Sequence, residues 1–252
     1  MKIIDAYCGT GPWMYRDKLQ PSDPAETLEI MDHCGIDLAL AFSNLAAHTM
    51  NESVDSNVCM AQIALQYPRF IPAFVITSRP YDESRKIEDY LPEMRACNAR
   101  GAWLCPQNNR QVTGMWPWTT EPIFEFCSNY RIPLFLSIEA TDPNRVNEIC
   151  RDFPDLILVL TNLAYNSDNW LYPLLRRHAL LHVCCGPTYI PPLGPQRFVR
   201  HFGSDRLIFG SGLPHFSPGG LIGHVMYAEI PDTDKAQILG GNIERLMAEV
   251  QL

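Results

Sequence analysis

The sequence predicts an α/β protein folded as a single closed (β/α)8 barrel. Three observations carry this. Eight β-type segments alternate with helical stretches along the whole chain. Several of those segments, such as Leu-Ala-Leu-Ala-Phe at 38–42 and Leu-Ile-Leu-Val-Leu at 156–160, are apolar on both faces, as parallel strands are under covering helices. The length of 252 residues is what eight such units need. An open doubly wound sheet is the alternative that alternation alone leaves standing.

The strands are expected at residues 2–8, 37–42, 70–76, 101–105, 133–138, 156–160, 181–185 and 207–210. The first helix is expected over 24–34. Asp23 is its N-cap, Pro24 stands in its first turn, and Gly35 stops it. Further helices are expected at 54–66, 84–97, 121–130, 143–152 with Asp142 as cap, 170–178, 196–202, 220–229 and 234–250. The last should be capped by Thr233 or Asp232. No linker divides the chain, so residues 1–252 are expected to form one domain.

Composition removes several function classes. The net charge is −8, and no run of Lys and Arg offers a footprint for phosphates, so nucleic acid is not an expected partner. No apolar run approaches the ~18 residues that a membrane span requires. No basic segment followed by an apolar one opens the chain, so a secretory leader is not expected. Nine cysteines are scattered without a Cys-x-x-Cys pair, which fits reduced, mostly buried thiols and a cytoplasmic location. There is no G-x-S-x-G elbow, phosphate-binding loop or H-E-x-x-H helix.

Two long loops face the C-terminal ends of the strands, where barrels of this type place their chemistry. Residues 187–195 are Pro-rich and follow the seventh strand. Residues 106–120 carry Trp116 and Trp118 and follow the fourth. The tryptophan segment reads equally well as a binding loop or as cover for a helix edge.

Several stretches, in the right order, resemble the amidohydrolase-2 family of metal-dependent hydrolases. They are Ile3-Ile4-Asp5-Ala6-Tyr7-Cys8-Gly9 at the first strand and residues 25–37 at the first helix. Tyr67-Pro68-Arg69-Phe70-Ile71-Pro72 leads into the third strand. Arg100-Gly101-Ala102-Trp103-Leu104-Cys105-Pro106 lies at the fourth, and Asp205-Arg206-Leu207-Ile208-Phe209-Gly210-Ser211 at the eighth. Gly241-Asn242-Ile243-Glu244-Arg245-Leu246 lies near the end. The resemblance implies a TIM barrel, a hydrolase or decarboxylase ancestry acting on small acids, and a metal at the mouth.

The family's metal positions do not carry metal ligands here. Its first-strand His-x-His falls on Tyr7 and Gly9. Its fifth-strand His falls on Ser137, its sixth-strand His on Asn162, and its eighth-strand Asp on Gly212. A catalytic zinc takes about three His, Cys or carboxylate ligands, and none of these five residues is one. A metal cofactor is therefore not expected. Loss of the eighth-strand Asp also removes the base that metal-free lactonases of the family are understood to use. A relocated site built from Cys8, Cys105, Cys184, Cys185, His48 and His215 lacks convergence. Cys184 and Cys185 must face opposite sides of their strand, and Cys8 should face the helices.

Strand alternation aims Asp5, Tyr7 and Gly9 inward, with Ser137, Glu139 and Asn162. Asn44 and His48 follow the second strand, Arg79 follows the third, and His215 lies beyond the eighth. Glu139 and His215 are the candidate acid–base pair. Arg79 is a candidate fork for a carboxylate. Tyr7 is expected to fill the space of the lost histidines, its hydroxyl bonded to Asn162 or Asp5. Two functions follow: a non-catalytic or small-ligand-binding barrel, and a metal-independent hydrolase, lactonase or decarboxylase-like enzyme. A small molecule and a homodimer are the partners that the resemblance allows.

Overall fold

The computed structural model describes residues 1–12, 21, 23–47, 53–76, 86–104, 107–108, 111–112 and 115–252. Eight parallel strands stand in consecutive order: Ile4–Thr10, Leu38–Ser43, Phe70–Ile76, Gly101–Leu104, Leu134–Ser137, Leu158–Thr161, Leu181–Cys185 and Leu207–Phe209. Helices alternate with them, giving a single (β/α)8 TIM barrel. An antiparallel ribbon, Gln107–Asn108 with Gln111–Val112, lies beyond the fourth strand.

The seam between the first and eighth strands closes by an irregular route. Gly9 N donates to Leu213 O at 2.8 Å, and Gly212 N donates to Tyr7 O at 2.8 Å. The Asp5 carboxylate staples the same seam. It accepts from Ser211 N at 2.8 Å, from Tyr7 N at 3.0 Å and from the Ser211 hydroxyl. Gly210 permits the close approach, because a Cβ there would lie 2.5 Å from Cys184 Sγ and 2.7 Å from Tyr7 Cβ.

The staple corrects one expectation. Alternation through Asp5, Tyr7 and Gly9 is broken by a register shift between Asp5 and Cys8. A bulge changes which side chains share a face. Ile4 and Ala6 pack in the inner cluster, and Tyr7, within the irregular stretch, packs against the same cluster. Asp5, fully buried, is spent on closure and does not line the mouth.

The core has two layers. The inner cluster joins Leu40, Val75, Trp103, Phe135, Val159 and Ile208, and Ile243, Leu246 and Met247 of the last helix close its floor. The outer cluster lies between strands and helices and takes Cys8 and Cys185, while Cys184 belongs to the inner one. Each fully buried Leu, Ile or Phe contributes about 1.5–3 kcal/mol.

Helix Pro24–Cys34 begins as its sequence specifies. Asp23 accepts from Ala25 N at 2.8 Å, Glu26 completes a capping box, and Gly35 ends it at φ 70°. Asp142 likewise caps Pro143–Asp152. Several helices differ from expectation: the helix expected at 84–97 is a 3-10 turn, Ile87–Asp89, followed by Tyr90–Cys97, and the one expected at 220–229 is Pro218–Met226. The fourth starts at Pro117, so Trp118 sits in its first turn, because the preset φ of proline suits the first helical position. The C-terminal helix starts at Asp232 with Pro231 at the N-cap, so neither Thr233 nor Asp232 caps it. It contains a π-turn, Gln237–Gly241, before Asn242–Ala248. A Cβ on Gly240 would lie 2.6 Å from Lys2 O, so this turn presses on the start of the first strand.

Candidate ligand site at the mouth of the barrel

The C-terminal ends of the strands converge on an aromatic cluster. The Tyr7 ring lies 4.6 Å from that of Trp103 and 6.2 Å from that of Phe42. Trp103 is 5.0 Å from Phe42 and stacks on Phe135 at 4.9 Å. Such pairs add about 0.5–1.5 kcal/mol each beyond area burial. These rings fill the upper lumen.

A polar ring lies on top of them. The sixth strand ends at Thr161, and Asn162 turns into the left-handed region at φ 56°. Asn tolerates that conformation better than most residues. The turn points its amide across the barrel. Asn162 Nδ2 donates to Ser137 Oγ at 3.1 Å and to Tyr7 Oη at 3.4 Å. Ser137 Oγ also accepts from Glu139 N at 3.2 Å, which caps the 3-10 turn Ile138–Ala140. Three of the five positions that the family resemblance assigns to a metal are thus joined by one amide.

The two glycine positions are closed as well. Asn44 is buried, and its Nδ2 donates to Gly11 O at 3.2 Å. Its Oδ1 occupies the place of a Cβ on Gly9. Gly212 has φ 72°, and a Cβ there would meet Pro187 Cγ at 2.8 Å and Phe216 Cδ2 at 3.0 Å. The donor set does not fit a catalytic metal. It offers a phenol, a hydroxyl and an amide turned donor-first, and among the described residues no three His, Cys, Asp or Glu gather elsewhere.

Glu139 does not continue the strand, because Leu134–Ser137 ends before it; it stands exposed on the 3-10 turn. His215 is exposed beyond the eighth strand. Its backbone N donates to Gly212 O at 3.0 Å, and partial burial lowers its imidazole pKa below the ordinary 6.5. His48 and Arg79 lie outside the described residues. The thiols are poor nucleophiles: burial pushes Cys185 up to about 12 and Cys184 well above its ordinary value.

Sequence reasoning missed Phe42, Trp103 and Thr161. Trp103 Nε1 and Thr161 Oγ1 are buried without a hydrogen-bond partner. Alternation could have found both, since Trp103 is two residues on from Gly101 and Thr161 two on from Val159, and Val159 faces the lumen.

Among the described residues, fold and mouth together define a (β/α)8 barrel in which Tyr7, Ser137 and Asn162 meet at the C-terminal ends of the strands. The chain belongs to the amidohydrolase family, whose model matches residues 16–247. Among solved structures it is similar to an uncharacterised TIM-barrel protein from Bordetella bronchiseptica, at 22% identity and TM-score 0.75, covering 99% of each chain. It is also similar to 5-carboxyvanillate decarboxylase LigW from Sphingomonas paucimobilis, at 15% identity and TM-score 0.72, covering 98% of this chain and 99% of that one. A third is 4-oxalomesaconate hydratase LigJ from Rhodopseudomonas palustris, at 16% identity and TM-score 0.68, covering 98% and 96%. At these identities the likeness is one of fold. No protein of curated function matches the sequence.

Proposed function

We propose that this chain is a diverged amidohydrolase-family barrel that works without the family's metal, as a cytoplasmic small-ligand-binding protein without hydrolytic chemistry. The observation that carries the reading is the Asn162 amide bonded to both Ser137 Oγ and Tyr7 Oη. The oxygens these groups present are neutral, and neutral oxygen donors lack the charge to hold a dication tightly. The closed space at Gly9 supports the same reading, since Asn44 stands where a longer side chain would have to grow. Among the described residues all cysteines are free thiols, which suits a reducing compartment.

Elemental analysis tests this. The purified protein is measured as isolated and again after incubation with zinc and manganese. Substoichiometric metal in both samples is expected. About one metal per chain would overturn the proposal.

A second reading is a metal-independent hydrolase, lactonase or decarboxylase-like enzyme acting on a small carboxylated or carbonyl substrate. His215 favours it, because an imidazole with a lowered pKa is neutral at pH 7 and able to accept a proton. It predicts turnover of such a substrate that His215→Ala and Glu139→Ala both abolish while the fold is kept.

A further inference from the structure

Two neighbouring helices on the outer wall of the barrel, Asp168–Arg177 and Gly194–Phe202, meet along stripes set by helical spacing. On the first the stripe is Asp168, Tyr172 and Arg176. On the second it is Arg197 with His201, and Phe198 with Phe202. At the end nearer the mouth the charges match. Asp168 accepts from Arg197 Nη2 and from Tyr189 Oη, both at 2.6 Å. In the middle the Tyr172 ring lies 5.4 Å from that of His201 and 4.9 Å from that of Phe202. At the far end they do not match. The Arg176 guanidinium lies 5.8 Å, and that of Arg206 5.3 Å, from the centroid of the Phe202 ring. Arg206 Nη1 donates to the carbonyls at the end of the first helix, Leu175 O at 2.7 Å and His178 O at 3.2 Å.

The other guanidinium groups at this end lack carboxylates. Arg176, Arg177 and Arg200 are exposed, and among the described residues none of them forms an ion pair. Residues 168–206 hold five arginines and two aspartates, one of them the paired Asp168, in a chain of net charge −8. The helix dipole favours a basic residue in a last turn by about 0.3–1 kcal/mol. That accounts for single residues. It does not account for cations from two helices and Arg206 gathering around one ring, where like charges repel.

We propose that this face, with Arg176, Arg177 and Arg200 around the partly buried Phe202, is a docking surface for a short acidic segment of a partner protein. A planar guanidinium offers a fork of N–H donors that matches a carboxylate. Phe202 gives an apolar side chain of the segment its footing. Charge limits the length of the partner. The positive field is local, since charges beyond about 8 Å are screened at physiological ionic strength. A nucleic acid or an anionic membrane would run onto the acid-rich remainder of the surface. A second copy of this chain would not close a two-fold dimer here, because the patch would meet itself. The face lies on the outer helices, so it stands or falls apart from what the mouth binds.

Fluorescence anisotropy with the full chain tests this. The probe is a labelled peptide of about eight residues, Asp and Glu around one central Phe. Saturable binding is expected below about 1 mM, and none for the same peptide written with Asn and Gln. Arg176→Gln/Arg177→Gln/Arg200→Gln should weaken binding at least about tenfold. Arg177→Gln/Arg200→Gln, which keeps Arg176 over its ring, should weaken it at least about threefold, and serves where the triple variant does not fold. A control, Lys2→Gln/Arg95→Gln/Arg151→Gln, changes net charge by the same amount elsewhere and should leave binding within about twofold. No binding of the acidic peptide would overturn the proposal, as would undiminished binding in the arginine variants. An equal loss in the control would also overturn it, since net charge alone would then be at work. Binding of inorganic polyphosphate or phosphatidylserine vesicles, lost in the triple variant while the peptide fails to bind, would reassign the face to a phosphate-bearing partner.

Discussion

Asn162 donates from one amide nitrogen to Tyr7 Oη at 3.4 Å and to Ser137 Oγ at 3.1 Å, tying the first, fifth and sixth strands together at the mouth. The three side chains stand where the resemblance places metal ligands. The shorter bond is the stronger one, so the link to Ser137 holds the amide in place and the link to Tyr7 adds less. Tyr7 earns its position mainly through its ring.

That division predicts two unequal variants. Tyr7→Phe should lose about 0.5–1 kcal/mol, the lower end for a neutral hydrogen bond. Tyr7→Ala removes a partly buried ring that packs against Trp103 and Phe42, and should lose about 2–4 kcal/mol. Urea denaturation measures both. Equal losses would mean that the ring does not fill the lumen.

Gly9 and Asn44 should be coupled. Gly9→Ala is expected to cost about 1–3 kcal/mol by overpacking against Asn44 Oδ1. In an Asn44→Ala background the same change should cost less by at least about 1 kcal/mol, read from a double-mutant cycle. Some cost remains there, because Leu213 O would still lie 3.1 Å from the new Cβ. Additive costs would refute the contact.

Thr161→Val should be neutral or slightly stabilising. Its hydroxyl is buried without a partner, and an isosteric methyl relieves a desolvation cost of about 1–3 kcal/mol. A loss above about 1 kcal/mol in thermal or chemical denaturation would show that an ordered water or a ligand satisfies the hydroxyl in solution.

Asp5 should work against acid denaturation. Burial raises its pKa to about 6 from an ordinary 3.8, even though Ser211 and Tyr7 bond to the carboxylate. The folded chain therefore holds the proton more tightly than the unfolded one. Its contribution to stability is full below about pH 3.8 and lost as the pH rises through about 6. Relative to Asp5→Asn, the wild type should gain on the order of 2 kcal/mol between pH 7 and pH 4. Denaturation of both proteins across that range checks the sign. His182 pulls the other way over the same window, since a depressed pKa loses stability as the pH falls.

Much of the barrel was legible in the sequence because it is written in local rules. Phe70–Ile76 is apolar on both faces, and its limits, like those of Leu181–Cys185, were read off directly. Asp23 with Glu26 and Gly35 marks the ends of the first helix through backbone hydrogen bonding alone. That Tyr7, Gly9, Ser137, Asn162 and Gly212 are not His, Cys or carboxylate residues was also visible, since residue identity is enough for it. The bulge in the first strand was not. There the Asp5 carboxylate accepts from Ser211, which is 206 positions away along the chain. With the bulge went the true facing of Asp5, which strict alternation had aimed into the mouth. The end of the fifth strand before Glu139 was hidden for a similar reason, because the Ser137 hydroxyl caps the turn that follows.

The sequence by itself determined the eight β-α units, their order, and which side chains stand at the five positions of the family resemblance. Only the tertiary structure decided how those side chains are arranged: Asn162 reaching over Ser137 and Tyr7, Asn44 filling the space beside Gly9, and Asp5 joining the two ends of the barrel. The physical reason is range. Periodicity and capping act within a few residues, whereas barrel closure brings distant strands together and sets which polar groups must satisfy one another.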